Sequence, residues 1–302
     1  MMVLCLLGGE AVAGLIVPDS GHDDRILSVT RWLSVVIIPF LVVAFAVLYP
    51  FPGDTGRLFA WPVKPEITPM ILGSVYLGGA YFFLRAAMAR QWHTVKGGFV
   101  PVGTFATLMG VATILHWGKF THSHVAFWLW AGLYFTTPFL VFAVWWANRR
   151  RDAPATTAEL LLPLRVSRVI AVLGGLSVLT ALFLFLFPGR AAAIWPWTLT
   201  PLTARVMGAI FALGIAGLGA PADRRWTSAR ILLQVAGLML ALILAAGLRA
   251  SSELDPSNAM TWLIGMGFAG LLAAIVVFYA RMRAQAAAAG MQVQAAPPAV
   301  PG

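Results

Sequence analysis

Three histidines stand close together in the run His116-Trp117-Gly118-Lys119-Phe120-Thr121-His122-Ser123-His124. Imidazole binds zinc, copper and haem iron, and three imidazoles suffice to hold a catalytic metal with an open position. If the chain turns tightly here, the three rings converge. The chemistry to expect is then a metal- or haem-dependent redox centre on His116, His122 and His124, or the membrane anchor of a redox complex. A plainer expectation competes with it and carries more weight. No acidic residue lies nearby to fix a tautomer, as the partner of a metal-bound histidine does, and histidine is amphipathic enough to sit at a membrane surface unaided. The cofactor is therefore left unassigned.

A second set of candidates is aromatic. Trp128 follows His124 by one helical turn, and Tyr134 follows Trp130 by one turn, so each pair shares a helix face. Together with Trp61, Trp195 and Trp197 they are expected to line a pocket for a neutral or lipidic small molecule. Other chemistries find no support. There is no Gly-x-x-x-x-Gly-Lys-Ser/Thr loop, no His-Glu-x-x-His helix and no Ser-His-Asp set. The single cysteine, Cys5, excludes an internal disulfide and any Cys-built metal site. The sequence names no reaction, and the balance leans away from an enzyme.

These residues hang on elements that composition dictates. The chain has 302 residues, of which 60% are hydrophobic and 11% charged. A soluble domain carries about 25% charged residues, so lipid must solvate much of this surface. Eight apolar runs are long enough to cross a bilayer, near 32–49, 69–88, 99–117, 125–147, 166–187, 204–220, 231–248 and 260–280. Helix is the form to expect, because an open strand in lipid leaves its peptide groups unpaired.

The basic residues set an orientation. Thirteen follow the second, fourth, sixth and eighth runs; six lie in the opposite loops, offset there by Asp54, Glu66, Glu253 and Asp255. The positive-inside rule then places both termini in the cytoplasm of a bacterial inner membrane. The formal charge of +10 is scattered between apolar runs, which argues against nucleic acid and for anionic lipid headgroups at the cytoplasmic face.

The chain also reads as a duplication. Trp61-Pro62 and Trp195-Pro196 stand 134 residues apart, and Arg90, Trp92 and Lys96 return at the same offset as Arg224, Trp226 and Arg230. Phe51-Pro52-Gly53 returns as Phe187-Pro188-Gly189. Each half holds an even number of spans, so both enter the membrane the same way, as parallel repeats. The expected fold is all-α: residues 1–31 as a lead-in, 32–152 as the first four-helix repeat, 153–164 as a linker, 165–283 as the second repeat and 284–302 as a disordered tail. The stretch 1–17 lacks the marks of a signal peptide and is either a lipid-facing segment or a ninth span. Small residues at Gly208, Ala212, Ala216 and Ala220, and at Gly265 and Ala269, are expected to be packing faces. His93 corresponds to Thr227 in the other half and reads as a surface residue.

The run Trp195-Pro196-Trp197-Thr198-Leu199-Thr200-Pro201, continuing to Arg205, and the run from Leu115 to His124 resemble those of uncharacterised multi-span membrane proteins of bacteria. That resemblance implies a membrane fold and no known activity, and it carries over no site residue.

Overall fold

The computed structural model describes residues 23–153 and 159–295, with side chains as far as residue 288. Residues 1–17 and the end of the tail, 296–302, lie outside the described residues. Eight long helices follow: α1 Ser28–Leu48, α2 Ile67–Met88, α3 Lys96–Leu115, α4 Val125–Asn148, α5 Leu164–Leu186, α6 Pro201–Leu218, α7 Trp226–Arg249 and α8 Ala259–Ala295. All eight are long and apolar enough to span a bilayer, which makes this a polytopic membrane protein. Among the described residues there is no β-strand, only two isolated bridges.

The helices begin earlier than hydropathy alone places them. The α1 helix starts at Ser28 and not near Trp32, and α7 at Trp226 and not near Ile231. Hydropathy marks where lipid is the solvent. A helix runs on until its end groups find other partners. For α1 that partner is Asn148, whose Oδ1 accepts from the backbone N–H of Leu27 at 3.1 Å and whose Nδ2 donates to Thr30 Oγ1 at 2.6 Å. At the far end α8 continues to Ala295. The residues from Ala284 to Ala295, expected to be disordered, are helical, as their alanines favour.

The core of the bundle is α2, with 78% of its span buried, against 56% for α3 and none for α8. Within the first half α2 packs on α1 and α3 on α4; within the second α6 packs on α5 and α7 on α8. Between halves α2 packs on α7 and α3 on α6. The closest backbone approach joins α5 to α6. A Cβ placed on Gly174 would lie 2.6 Å from the Gly214 carbonyl oxygen, and one on Gly217 2.7 Å from that of Ile170. Of the expected small-residue face, Gly208 and Ala212 do pack. A 3₁₀ turn at Ala212–Gly214 then rotates α6, so that Gly214 and Gly217 take the contact in place of Ala216 and Ala220. Gly265 has no neighbouring atom within 4 Å of where its Cβ would be, so the expected packing face on α8 is not one.

Several bonds outside the helices return at one spacing. The Trp92 N–H donates to Asp24 O at 2.8 Å and the Trp226 N–H to Leu160 O at 2.9 Å. At the other end Thr121 N–H donates to Ala60 O and Asp255 N–H to Pro196 O, both at 2.9 Å. The indoles of Trp128 and Trp262 donate to the His122 and Pro256 carbonyls, each at 3.0 Å.

Candidate functional site

At the tryptophan-rich end the three clustered histidines do not converge. Among the described residues no group of three or more His, Cys, Asp or Glu side chains is placed to hold a metal ion. His116 closes α3 and accepts at Nε2 from the Arg205 guanidinium at 2.6 Å. Its proton therefore sits on Nδ1, and its metal-binding lone pair is occupied. Burial, and then the charges of Arg205 and Lys119, lower its pKa. The His122 ring packs between Trp117 and Phe127, at 5.1 and 4.6 Å between centroids. His122 Nε2 and His124 Nδ1 are buried without a hydrogen-bond partner. The expected metal or haem centre is corrected to one guanidinium-bound histidine and two packed ones.

The aromatic candidates are also dispersed. Trp61 is buried in an edge-to-face cluster with Phe120 and Trp130, at 5.0 and 4.8 Å. Trp195 packs edge-on against Trp197 at 5.4 Å. The Trp197 indole donates to Thr68 Oγ1 of α2 at 3.0 Å, which ties the two halves together. Tyr134 shares a buried 2.7 Å hydrogen bond with Tyr76. Trp128 is exposed and lines an apolar groove of about 280 Å³ between α1 and α4. Trp61, Trp195, Trp197 and Tyr134 are core residues, and the five form no common pocket wall.

At the arginine-rich end, residues that the sequence gives little reason to pair are brought together. His93, expected at the surface, is 4% exposed. Its Nδ1 meets Asp24 Oδ2 at 2.5 Å and its Nε2 meets Thr227 Oγ1 of α7 at 3.1 Å. Beside it Lys96 Nζ contacts Asp152 at 2.6 Å and Asp223 at 2.9 Å. Arg225 grips both oxygens of Asp223 at 2.8 Å and reaches Asp152 at 3.2 Å. Burial alone would raise the Asp223 pKa. Hydrogen bonds and charge from Arg225 and Lys96 outweigh that and hold it well below the usual carboxylate range. Two cations and two carboxylates balance, so this set clamps the helix ends and leaves no net charge for a ligand.

The largest opening lies just inside that clamp. A lateral groove of about 960 Å³ runs between α2, α7 and α8, walled by Leu233, Gly237, Leu238, Ala241, Leu272, Ile275 and Val276. One end is polar. Tyr81 Oη donates to Gln234 Oε1 at 2.8 Å, and Gln234 Nε2 donates to Tyr279 Oη at 2.6 Å. Arg85 Nη1 donates to both Tyr81 Oη at 3.1 Å and Gln234 Oε1 at 3.3 Å, while Arg283 lines the groove directly. One helical turn separates Tyr81 from Arg85 on α2 and Tyr279 from Arg283 on α8, so two Tyr-x-x-x-Arg pairs flank Gln234. Gln234 and Tyr81 were visible as polar residues inside spans. Tyr279, Arg85 and Arg283 looked like ordinary interfacial residues, and only the spacing shared by the two pairs could have singled them out.

Compared with models of protein families, with curated proteins and with solved structures, the chain matches none.

Proposed function

We propose that this chain is a multi-pass protein of the bacterial inner membrane that binds or moves a lipidic small molecule at the junction of two parallel four-helix repeats. The observation that carries the reading is the α2–α7–α8 groove. It opens sideways, where the solvent of a membrane-spanning bundle is lipid, and it joins an apolar wall to one compact polar end. Ligand sites are commonly about 300–1,000 Å³ and mostly apolar, with a few placed polar groups. The groove fits that description.

The repeat reading is supported by the bonds that return at one spacing, by the match between the sequence offsets and those bonds, and by the exchange of partners between halves: α2 of one with α7 of the other, α3 with α6. Placing the arginine-rich end in the cytoplasm follows from the charge imbalance.

Mass spectrometry of the protein purified in mild detergent tests the function. Wild type should retain bound lipid through washing. The Gly237→Trp variant should not, because it puts an indole in a wall position where an added Cβ finds only ordinary contacts at 3.6 and 4.0 Å. Equal, negligible retention by both proteins ends the reading.

A further inference from the structure

We propose that the ligand of the α2–α7–α8 groove is an anionic phospholipid, its chain along the apolar wall and its phosphate held by Arg85 and Arg283. This rests on the reading that the groove holds a lipidic molecule, and adds which kind.

The argument is one of unmet charge. Most other cations near this end have acidic partners: Lys96 and Arg225 share Asp152 and Asp223, and Arg151 meets Asp23 at 3.2 Å. Arg85 and Arg283 make no ion pair among the described residues. Arg85 instead spends Nη1 on two neutral oxygens, Tyr81 Oη and Gln234 Oε1. Those oxygens satisfy a donor without neutralising a charge. A guanidinium held beside an apolar wall is costly unless an anion joins it, and a guanidinium offers a phosphate two parallel N–H donors.

The dimensions select a lipid over a free anion. From Leu272 to Ala287 the groove follows α8 for 15 residues, or about 22 Å at 1.5 Å per residue. A leaflet is half of a hydrocarbon core of about 30 Å, so the wall accommodates one acyl chain with room for a headgroup. The arginines lie at the end of the wall nearest the charged clamp, where a headgroup of that leaflet sits. An inorganic phosphate would leave the rest of the groove unfilled.

The test uses the full chain in nanodiscs made from equal parts phosphatidylglycerol and phosphatidylcholine, with bound lipid read by native mass spectrometry. Wild type should retain phosphatidylglycerol over phosphatidylcholine by about tenfold. The doubly substituted Arg85→Gln, Arg283→Gln protein should still hold lipid but with that preference reduced to about twofold or less. The Arg85→Lys, Arg283→Lys protein keeps the charge and serves if the glutamine variant does not fold; it should keep much of the preference. Inorganic phosphate at millimolar concentration should displace nothing. Equal retention of the two lipids by wild type, an undiminished preference in the glutamine variant, or release by inorganic phosphate overturns the assignment to an anionic phospholipid while leaving a lipid groove standing. A dimer with no bound lipid, the groove covered by a second copy, overturns both.

Discussion

Glu253 carries a structural load that a single substitution can measure. The first turn of α2 has no side-chain cap of its own, because Glu66 occupies the N-cap position and its carboxylate does not fold back. The corresponding corner before α6 has Thr200 and Thr203 in a reciprocal capping box. The missing cap is supplied across the molecule: Glu253 accepts from the Glu66 N–H at 2.9 Å and the Ile67 N–H at 2.8 Å, one with each carboxylate oxygen. A hydrogen bond to a charged group contributes about 1.5–3 kcal/mol, and loss of an N-cap side chain costs about 0.5–2 kcal/mol. Glu253 is half-buried, so water replaces part of what is lost, and Glu253→Ala should cost about 2 kcal/mol. Glu253→Gln keeps one acceptor but turns an NH₂ toward the second N–H and gives up the charge at the helix N-terminus, itself worth about 0.3–1 kcal/mol; it should cost about 1 kcal/mol. At about 2–4 °C per kcal/mol for a chain near this size, thermal unfolding in one detergent should fall by about 4–8 °C for alanine and half that for glutamine. The neighbouring Ser252→Ala, an exposed position, serves as control. If alanine and glutamine both unfold within about 1 °C of wild type, the trans-cap argument is wrong.

Three further outcomes are expected. Gly174→Val forces a branched side chain against the Gly214 carbonyl, where even a Cβ would sit at 2.6 Å, and overpacking of this kind costs about 1–3 kcal/mol; a thermal midpoint equal to wild type would contradict the close approach of α5 and α6. The Asp223 carboxylate is held below its ordinary range by burial opposed and outweighed by Arg225 and Lys96, so its contribution is complete above about pH 4 and lost as pH falls through its folded value. The advantage of wild type over Asp223→Asn should then be full at pH 7 and shrink below pH 4, and an advantage that does not shrink would refute the pairing. Burial and then the Arg205 charge lower the His116 pKa, so Arg205→Met should move the His116 titration, followed by NMR, upward but not all the way to its unperturbed position near 6.5; no movement would show that Arg205 is not its partner.

The sequence gave up its membrane character readily, because lipid imposes one rule on every span: enough apolar residues, all in helix. The eight runs are therefore legible one at a time. Trp61 and Trp195 were equally visible, yet their aromatic character says nothing of which way they face, and both turn into the core. His93 was misjudged for a different reason. Its burial is set by Asp24 and Thr227, residues 69 and 134 positions away, and no local window contains them. The same holds for the groove. Tyr81, Gln234 and Tyr279 belong to three helices, and only the packing of α2 on α7 and α7 on α8 brings their polar atoms within 2.6–2.8 Å. His116, His122 and His124 show the reverse error, since nearness along the chain did not become convergence of the rings.

The trans-cap on α2 also sets a clock for biosynthesis. The carboxylate of Glu253 is 187 residues downstream of the Glu66 N–H it serves, and Arg249, which donates to the Tyr49 and Pro50 carbonyls at 2.9 and 3.0 Å, is 200 and 199 downstream of them. Ribosomes add about 5–20 residues per second, so about 10–40 s pass between the appearance of these helix ends and the arrival of the groups that close them. During that interval the leading four helices stand in the membrane with α1 and α2 open at the rim, and headgroups, water or an insertion factor must occupy the places that Glu253 and Arg249 later take.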